Sequence, residues 1–198
     1  MSKNTREHWE ERYRREDNSA RWSSEWRLSF YEWATQHIHE RNGTFLDVGS
    51  GLGYGLQRVC KAHPGWQPTG LDFAWAAVSK AVIPTLHMDV LKDDIPGIYD
   101  YVLCIQTLEH FSCPDLVIRK MSAAAGKQLV ITVPYREDIS HHTEHESSFS
   151  EGYFYQFGRP WFEIQYNRLK VVYEFTISQR IIHRLKSYLR RVRRDIRW

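Results

Sequence analysis

The chain has 198 residues, 42% of them hydrophobic and 26% charged, which fits one globular domain built on a single core. No apolar run nears the roughly 20 residues of a membrane-spanning helix, and the charged start MSKNTREHWEERYRRED lacks a signal-peptide core, so a cytoplasmic protein is expected. Three cysteines without CxxC spacing argue against a disulfide framework or a zinc cluster; the net charge of +3 hides a tail, residues 180–198, at +7 and a body at −4, a sign that argues against an obvious nucleic-acid surface.

Residues 5–40 carry Trp9, Tyr13, Trp22, Trp26, Phe30, Trp33 and Ile38 at roughly helical spacing, interrupted near DNSARWSS. They are expected to pack on the domain or to form a lid over a ligand. From Thr44 the pattern changes to short apolar runs alternating with helical segments. TFLDV reads as a strand, GLQRVCKAHP as a helix ended by Pro64, and PTGLDF as a second strand. AWAAVSKAVI reads as a helix, TLHMDV as a short third strand and YDYVLCIQ as a fourth. PDLVIRKMSAAA is a helix with proline in its first turn and Gly126 as its stop, followed by a fifth strand, KQLVITVP. A polar, histidine-rich stretch runs to about Gly152, and the aromatic-rich residues 153–177 suggest two further strands. Such alternation predicts an α/β fold, doubly wound around a mostly parallel sheet with both faces covered.

FLDVGSGLGYGLQRV, residues 45–59, places glycines at the end of the first strand, where the crevice of an open α/β sheet binds ligands. A phosphate loop needs GxxxxGK[ST], and no Lys-Ser or Lys-Thr follows. The dinucleotide fingerprint GxGxxG fails in both registers, at Tyr54 and at Leu56. What remains is Asp47-x-Gly49-x-Gly51-x-Gly53, then Asp72 with Phe73 at the end of the second strand, and Asp89 with Val90 at the end of the third. A carboxylate in the second position suits a ribose diol. One beside the glycine loop repels a pyrophosphate but suits a cation carrying an ammonium and a sulfonium, which selects S-adenosylmethionine.

With these residues in place, residues 44 to about 134 resemble the core of the class I S-adenosylmethionine-dependent methyltransferases. The resemblance implies a seven-stranded sheet with its last strand antiparallel. It assigns Asp47, Gly49, Gly51 and Gly53 to the methionine end of the cofactor, Asp72 to the ribose and Asp89 to the adenine. Gln106, at the end of the fourth strand, is expected close to the cofactor.

On the acceptor side, QTLEHF follows the fourth strand and VPYREDISHHTEHESSF the fifth, so Glu109, His110 and one or more of His141, His142 and His145 could converge over the methyl group. A histidine is a suitable base for a hydroxyl acceptor. Alternatively Glu109, His110 and His145 could hold a divalent metal (Mg, Mn or Zn) that lowers the acceptor's pKa. Gln106-x-x-Glu109-His110 with His142-x-x-His145 partly resembles the E-x-x-E-H pattern of ubiquinone-pathway O-methyltransferases and small-RNA 2′-O-methyltransferases. Gln106 replaces the first acid and is a weaker ligand. Tyr153, Phe154, Tyr155, Phe157 and Trp161 could stack on an acceptor ring or form a local core.

The last segment, RIIHRLKSYLRRVRRDIRW, spaces Ile181, Ile182, Leu185, Tyr188, Leu189, Val192 and Ile196 along one helical face opposite arginines. It could touch an anionic membrane surface, bind nucleic acid, or dock on the domain. The expected organisation is a helical substrate segment over 1–40, the cofactor domain over 41–179 and the basic helix over 180–198. The expected activity is O-methylation of a small-molecule, glycan or lipid-linked hydroxyl. The alternatives are an RNA terminus, an amine, or a cofactor-binding partner protein without turnover.

Overall fold

The computed structural model describes residues 4–15 and 21–176. The basic helix expected over 180–198, with its membrane and nucleic-acid readings, lies outside the described residues.

Two helices come first, α1 (Arg6–Arg14) and α2 (Glu25–Thr35). The alternation then runs β1 (Asn42–Val48), α3 (Tyr54–Ala62), β2 (Gly65–Asp72), α4 (Trp75–Val78), β3 (Thr85–His87), β4 (Tyr99–Ile105), α5 (Pro114–Ala124) and β5 (Ala125–Pro134). A single turn α6 (Glu151–Phe154) precedes the hairpin of β6 (Trp161–Gln165) and β7 (Arg168–Glu174). The strands order as β3-β2-β1-β4-β5-β7-β6. β1 pairs in parallel with β2 and β4, β4 with β5 and β2 with β3, whereas β7 runs antiparallel to both β5 and β6. The expected doubly wound sheet with a reversed last strand is therefore present. The strand order reverses between β1 and β4, which opens the crevice at the carboxyl ends of these strands.

The central strands read as continuous apolar runs because helices cover both faces. On one face, Leu46, Val48, Val102, Leu129 and Ile131 pack with Val117, Ile118 and Met121 of α5. On the other, Phe45, Tyr101, Leu103 and Val130 pack with Phe30 and Trp33 of α2 and Leu56 of α3. α1 and α4 make a smaller cluster of Trp9, Tyr13, Leu52 and Ala77. They also cap each other. Glu10 accepts from the first backbone N–H groups of α4 at Trp75 and Ala76, and Lys80 donates to the last carbonyls of α1 at Tyr13 and Arg14.

Three local expectations need correction. The helix expected over residues 74–83 is one turn, Trp75–Val78, because Val82 donates its N–H to Leu52 across the crevice and Pro84 cannot extend a helix. Gly126 does not stop α5. The chain passes from Ala124 straight into β5, with Gly126 inside the strand, where a Cβ would lie 3.0 Å from the Tyr99 carbonyl. TLHMDV supplies only three strand residues, so Asp89 sits in the loop beyond β3.

Candidate active site

A cavity of about 540 Å³ opens at the carboxyl ends of β1, β2, β4 and β5. Its floor is the loop from β1 to α3, in which Gly49, Gly51 and Gly53 all have positive φ. At Gly49, with φ +78°, an added Cβ would fall 2.1 Å from the Thr107 methyl, so the backbone can pass between β1 and β4 only without a side chain. Backbone N–H groups of Gly49 and Ser50 donate to the Leu71 carbonyl at 2.8 and 3.1 Å and tie the loop to β2.

Asp47 ends inside the protein with no exposed surface. Tyr31 of α2 donates to its Oδ2 at 2.9 Å, while Oδ1 has no partner. Burial raises the Asp47 carboxyl to about 7, against the opposing Tyr31 hydrogen bond. Asp72 is held by two backbone donors, Gly51 N–H and Ala74 N–H, both at 2.9 Å. Burial raises it to about 6, and those backbone bonds limit the rise. Phe73 and Asp89 also line the cavity, joined by Arg6, whose guanidinium donates to the Phe73 carbonyl at 2.9 Å and meets Asp89 at 3.4 Å. The Val90 side chain turns away into the main core, so only its backbone can serve a ligand.

Gln106 lines the cavity in a left-handed conformation, φ 50°, with its side-chain amide on Thr132 at 3.3 Å. Immediately after it, Leu108–His110 forms one tight turn that carries Glu109 and His110. The loop after β5 is pinned to this turn, because the N–H groups of Glu146 and Ser147 donate to the Glu109 carbonyl at 2.8 and 3.2 Å. α1 closes the assembly: Asn4 donates to the His110 carbonyl, and Arg12 and His8 meet Glu144. These contacts bring Glu109, His110 and His145 together, with one ligand atom from each lying within 4.8 Å of the others.

The protonation states of this cluster follow from its partners. His110 Nδ1 faces the Glu144 carbonyl at 3.0 Å; a carbonyl only accepts, so Nδ1 carries the proton and Nε2 keeps its lone pair. Burial lowers the His110 imidazole to about 4, which leaves it neutral at pH 7. His145 Nδ1 is hydrogen-bonded to Glu137, and the carboxylate orients the ring. Burial raises Glu109 to about 8, and its Oε2 is buried without a partner. Two imidazoles and a carboxyl oxygen in need of a partner fit a divalent cation as a donor set. His141 and His142 are both exposed on the loop, and His142 stacks on His145 with ring centroids 4.6 Å apart and meets Glu137. Of the aromatics after Gly152, Phe154 is fully buried and Tyr153 and Phe157 pack against the core, which is the local-core role.

Several residues that sequence reasoning did not assign to the cofactor or acceptor site surround it. Tyr13 and Tyr31 cover the glycine loop, Glu137 orients His145, and Arg27 and Arg168 enter from α2 and β7. The spacing of Trp26, Arg27, Phe30 and Tyr31 on one helix was the available signal for the α2 group. Arg168 had none, since only the antiparallel β7 brings it to the cavity, and Glu137 meets His145 through the fold of the loop after β5.

Residues 13–168 match a family model described as a methyltransferase domain. A ubiquinone biosynthesis O-methyltransferase of Chromobacterium violaceum is 31% identical over 107 residues, 48% of this chain and 44% of that protein. The enzyme of the same name from Pseudomonas paraeruginosa is 34% identical over 97 residues, 41% of each chain. The chain thus spans less than half the length of these relatives. A magnesium protoporphyrin IX methyltransferase from Synechocystis PCC 6803, solved with bound SAH, shares the fold with a TM-score of 0.59 at 15% identity, over 75% of this chain and 81% of that one. With the family model covering most of the chain and the sheet order in agreement, this protein belongs to the class I S-adenosylmethionine-dependent methyltransferase family.

Proposed function

We propose that this protein transfers the methyl group of S-adenosylmethionine to a hydroxyl oxygen of a small-molecule or glycan acceptor, lipid-linked acceptors included. The observation that carries the reading is the cluster of Glu109, His110 and His145 beside the glycine loop, with His110 neutral at pH 7 and His145 held by Glu137. A hydroxyl must lose its proton as the carbon–oxygen bond forms, and a neutral, oriented imidazole can take it. An amine that is already neutral has a lone pair without such help. The similarity to two O-methyltransferases supports the same choice.

In this reading the ribose hydroxyls face Asp72, whose oxygens each keep a lone pair after one backbone bond. Arg27, which has no carboxylate partner among the described residues, holds the methionine carboxylate, and the buried Asp47 balances the ammonium electrostatically. His145 removes the acceptor proton through Nε2 while Glu137 stabilises the imidazolium that results. α1 and α2 exclude water above the transferring group, and most of the rate enhancement comes from positioning, because the cofactor carries an activated methyl. Alternatively, Glu109, His110 and His145 would hold a divalent cation through that same His145 Nε2, which would then not act as the base, and the cation would supply charge that acidifies the acceptor hydroxyl.

The test is transfer of labelled methyl from S-adenosylmethionine to panels of catechols, sugars, amines and RNA ends, with EDTA and again with manganese. Labelling of hydroxyl acceptors, lost in His145→Asn while S-adenosylhomocysteine still binds, supports the proposal. Labelling confined to amines or RNA would overturn it.

A further inference from the structure

Three of the five arginines that line the cavity have no carboxylate partner among the described residues. Of the arginines lining it, Arg6 pairs with Asp89 and Arg12 with Glu144. Arg21, Arg27 and Arg168 form no ion pair among the described residues. The crowding is felt at Arg27, whose pKa is lowered by burial and then by the charges of Arg21 and Arg12.

Arg27 has a use in the methionine carboxylate, but Arg168 does not. It is the first residue of β7, paired in register with Pro134 at the carboxyl end of β5, which places it on the acceptor side of the sheet. Its guanidinium lies 5.9 Å from the Trp26 ring and 6.0 Å from the Phe30 ring, and its Nε is buried without a partner. Trp22 Nε1, another cavity donor, is also buried and unpartnered. Leaving a buried donor unsatisfied is costly, and both of these groups can only donate. What they lack is a ligand rich in acceptor oxygens. The sulfonium of the cofactor adds a further positive charge beside them.

We propose that the methyl acceptor carries an oxyanion, a phosphate or a carboxylate, held by Arg168 and Arg21 against the Trp22 and Trp26 rings. The proposal rests on the methyltransferase reading and specifies the acceptor class of the same site. The oxyanion receives charge-assisted hydrogen bonds from the guanidinium groups and directs the hydroxyl toward His145. A neutral acceptor would leave both arginines uncompensated in a site that already holds a sulfonium.

Tryptophan fluorescence follows binding directly, because Trp22 and Trp26 line the site. Phenyl phosphate and benzoate are titrated against phenol and benzyl alcohol as neutral counterparts, with and without S-adenosylhomocysteine. The anionic probes should bind at least about tenfold more tightly at low salt, with the advantage shrinking as salt rises. The stronger of the two identifies the oxyanion. Arg168→Gln and Arg21→Gln should each remove most of the advantage, whereas Arg58→Gln, which breaks only surface pairs with Glu25 and Glu32, should keep it. Unchanged affinity for S-adenosylhomocysteine in the variants shows that the fold and cofactor site survive. Equal binding of neutral and anionic probes, or a full advantage in Arg168→Gln, would overturn the proposal. Failure of the wild-type protein to bind S-adenosylhomocysteine would overturn the methyltransferase reading itself, and the assignment of an acceptor with it.

Discussion

Cofactor binding should release a proton from Asp47. Without ligand its carboxyl titrates at about 7, because it is fully buried with only the Tyr31 hydroxyl on one oxygen. About nine-tenths of it is therefore protonated at pH 6 and about a tenth at pH 8. A ligand ammonium in the glycine loop favours the ionised form, so the free energy of ionising Asp47 is drawn from binding at pH 6 and hardly at all at pH 8. The apparent Kd for S-adenosylhomocysteine should fall about tenfold between these values, with about half a proton released at pH 7. Calorimetry in two buffers of different ionisation enthalpy reads both quantities, and Asp47→Asn should remove the release. The fold carries the same linkage with its own sign. The folded pKa of Asp47 lies above its unfolded value of 3.8, so its contribution to stability is complete below pH 3.8 and is lost as pH rises through about 7. Glu109 acts likewise, through about pH 8. His110 has the opposite sign: its contribution is present above 6.5 and lost as pH falls through about 4. Affinity independent of pH from 6 to 8, or proton release that persists in Asp47→Asn, would show that Asp47 does not ionise on binding.

Other expectations rest on different parts of the structure. Gly49→Ala forces a left-handed alanine onto Thr107, at a cost of about 2 kcal/mol in strain, and should lower Tm by about 4 to 8 °C while weakening cofactor binding. His145→Asn should reduce kcat by about 10²- to 10⁴-fold with little change in S-adenosylhomocysteine affinity, separable by single-turnover kinetics and calorimetry. Lys170 is fully buried, donates to the Trp33 carbonyl at 3.1 Å and pairs with Glu163. Because Glu163 is partly exposed, Lys170→Ala should cost about 3 kcal/mol in denaturant unfolding, the low end for breaking a buried pair, and leave cofactor affinity unchanged.

The sheet was legible because doubly buried strands must be nearly continuously apolar, as YVLCI is and as FLDV is but for Asp47, and because the helices between them keep their own period. The cofactor side was legible for a related reason: Asp47, the glycines, Asp72 and Asp89 are local to strand ends, so position in sequence nearly determines position in the crevice. Short segments failed. Residues 74–83 have helical spacing, but a long-range bond from Val82 to Leu52 and the following Pro84 allow only one turn. Gly126 looked like a helix stop and is instead the place where β5 passes close to β4. The acceptor side was half legible. Glu109 and His110 share one turn and His145 follows the next strand, whereas Glu137 and Arg168 reach the site only through loop closure and an antiparallel strand, which no spacing reports.

The most direct test of the account is calorimetric titration of the purified protein with S-adenosylhomocysteine, with NADH as the control ligand. Saturable one-to-one binding of the first is expected, lost in Asp72→Asn because the new amide nitrogen would oppose one of the Gly51 and Ala74 N–H donors, and no binding of NADH. Binding of NADH with none of S-adenosylhomocysteine would contradict the reading of the glycine loop and the function built on it.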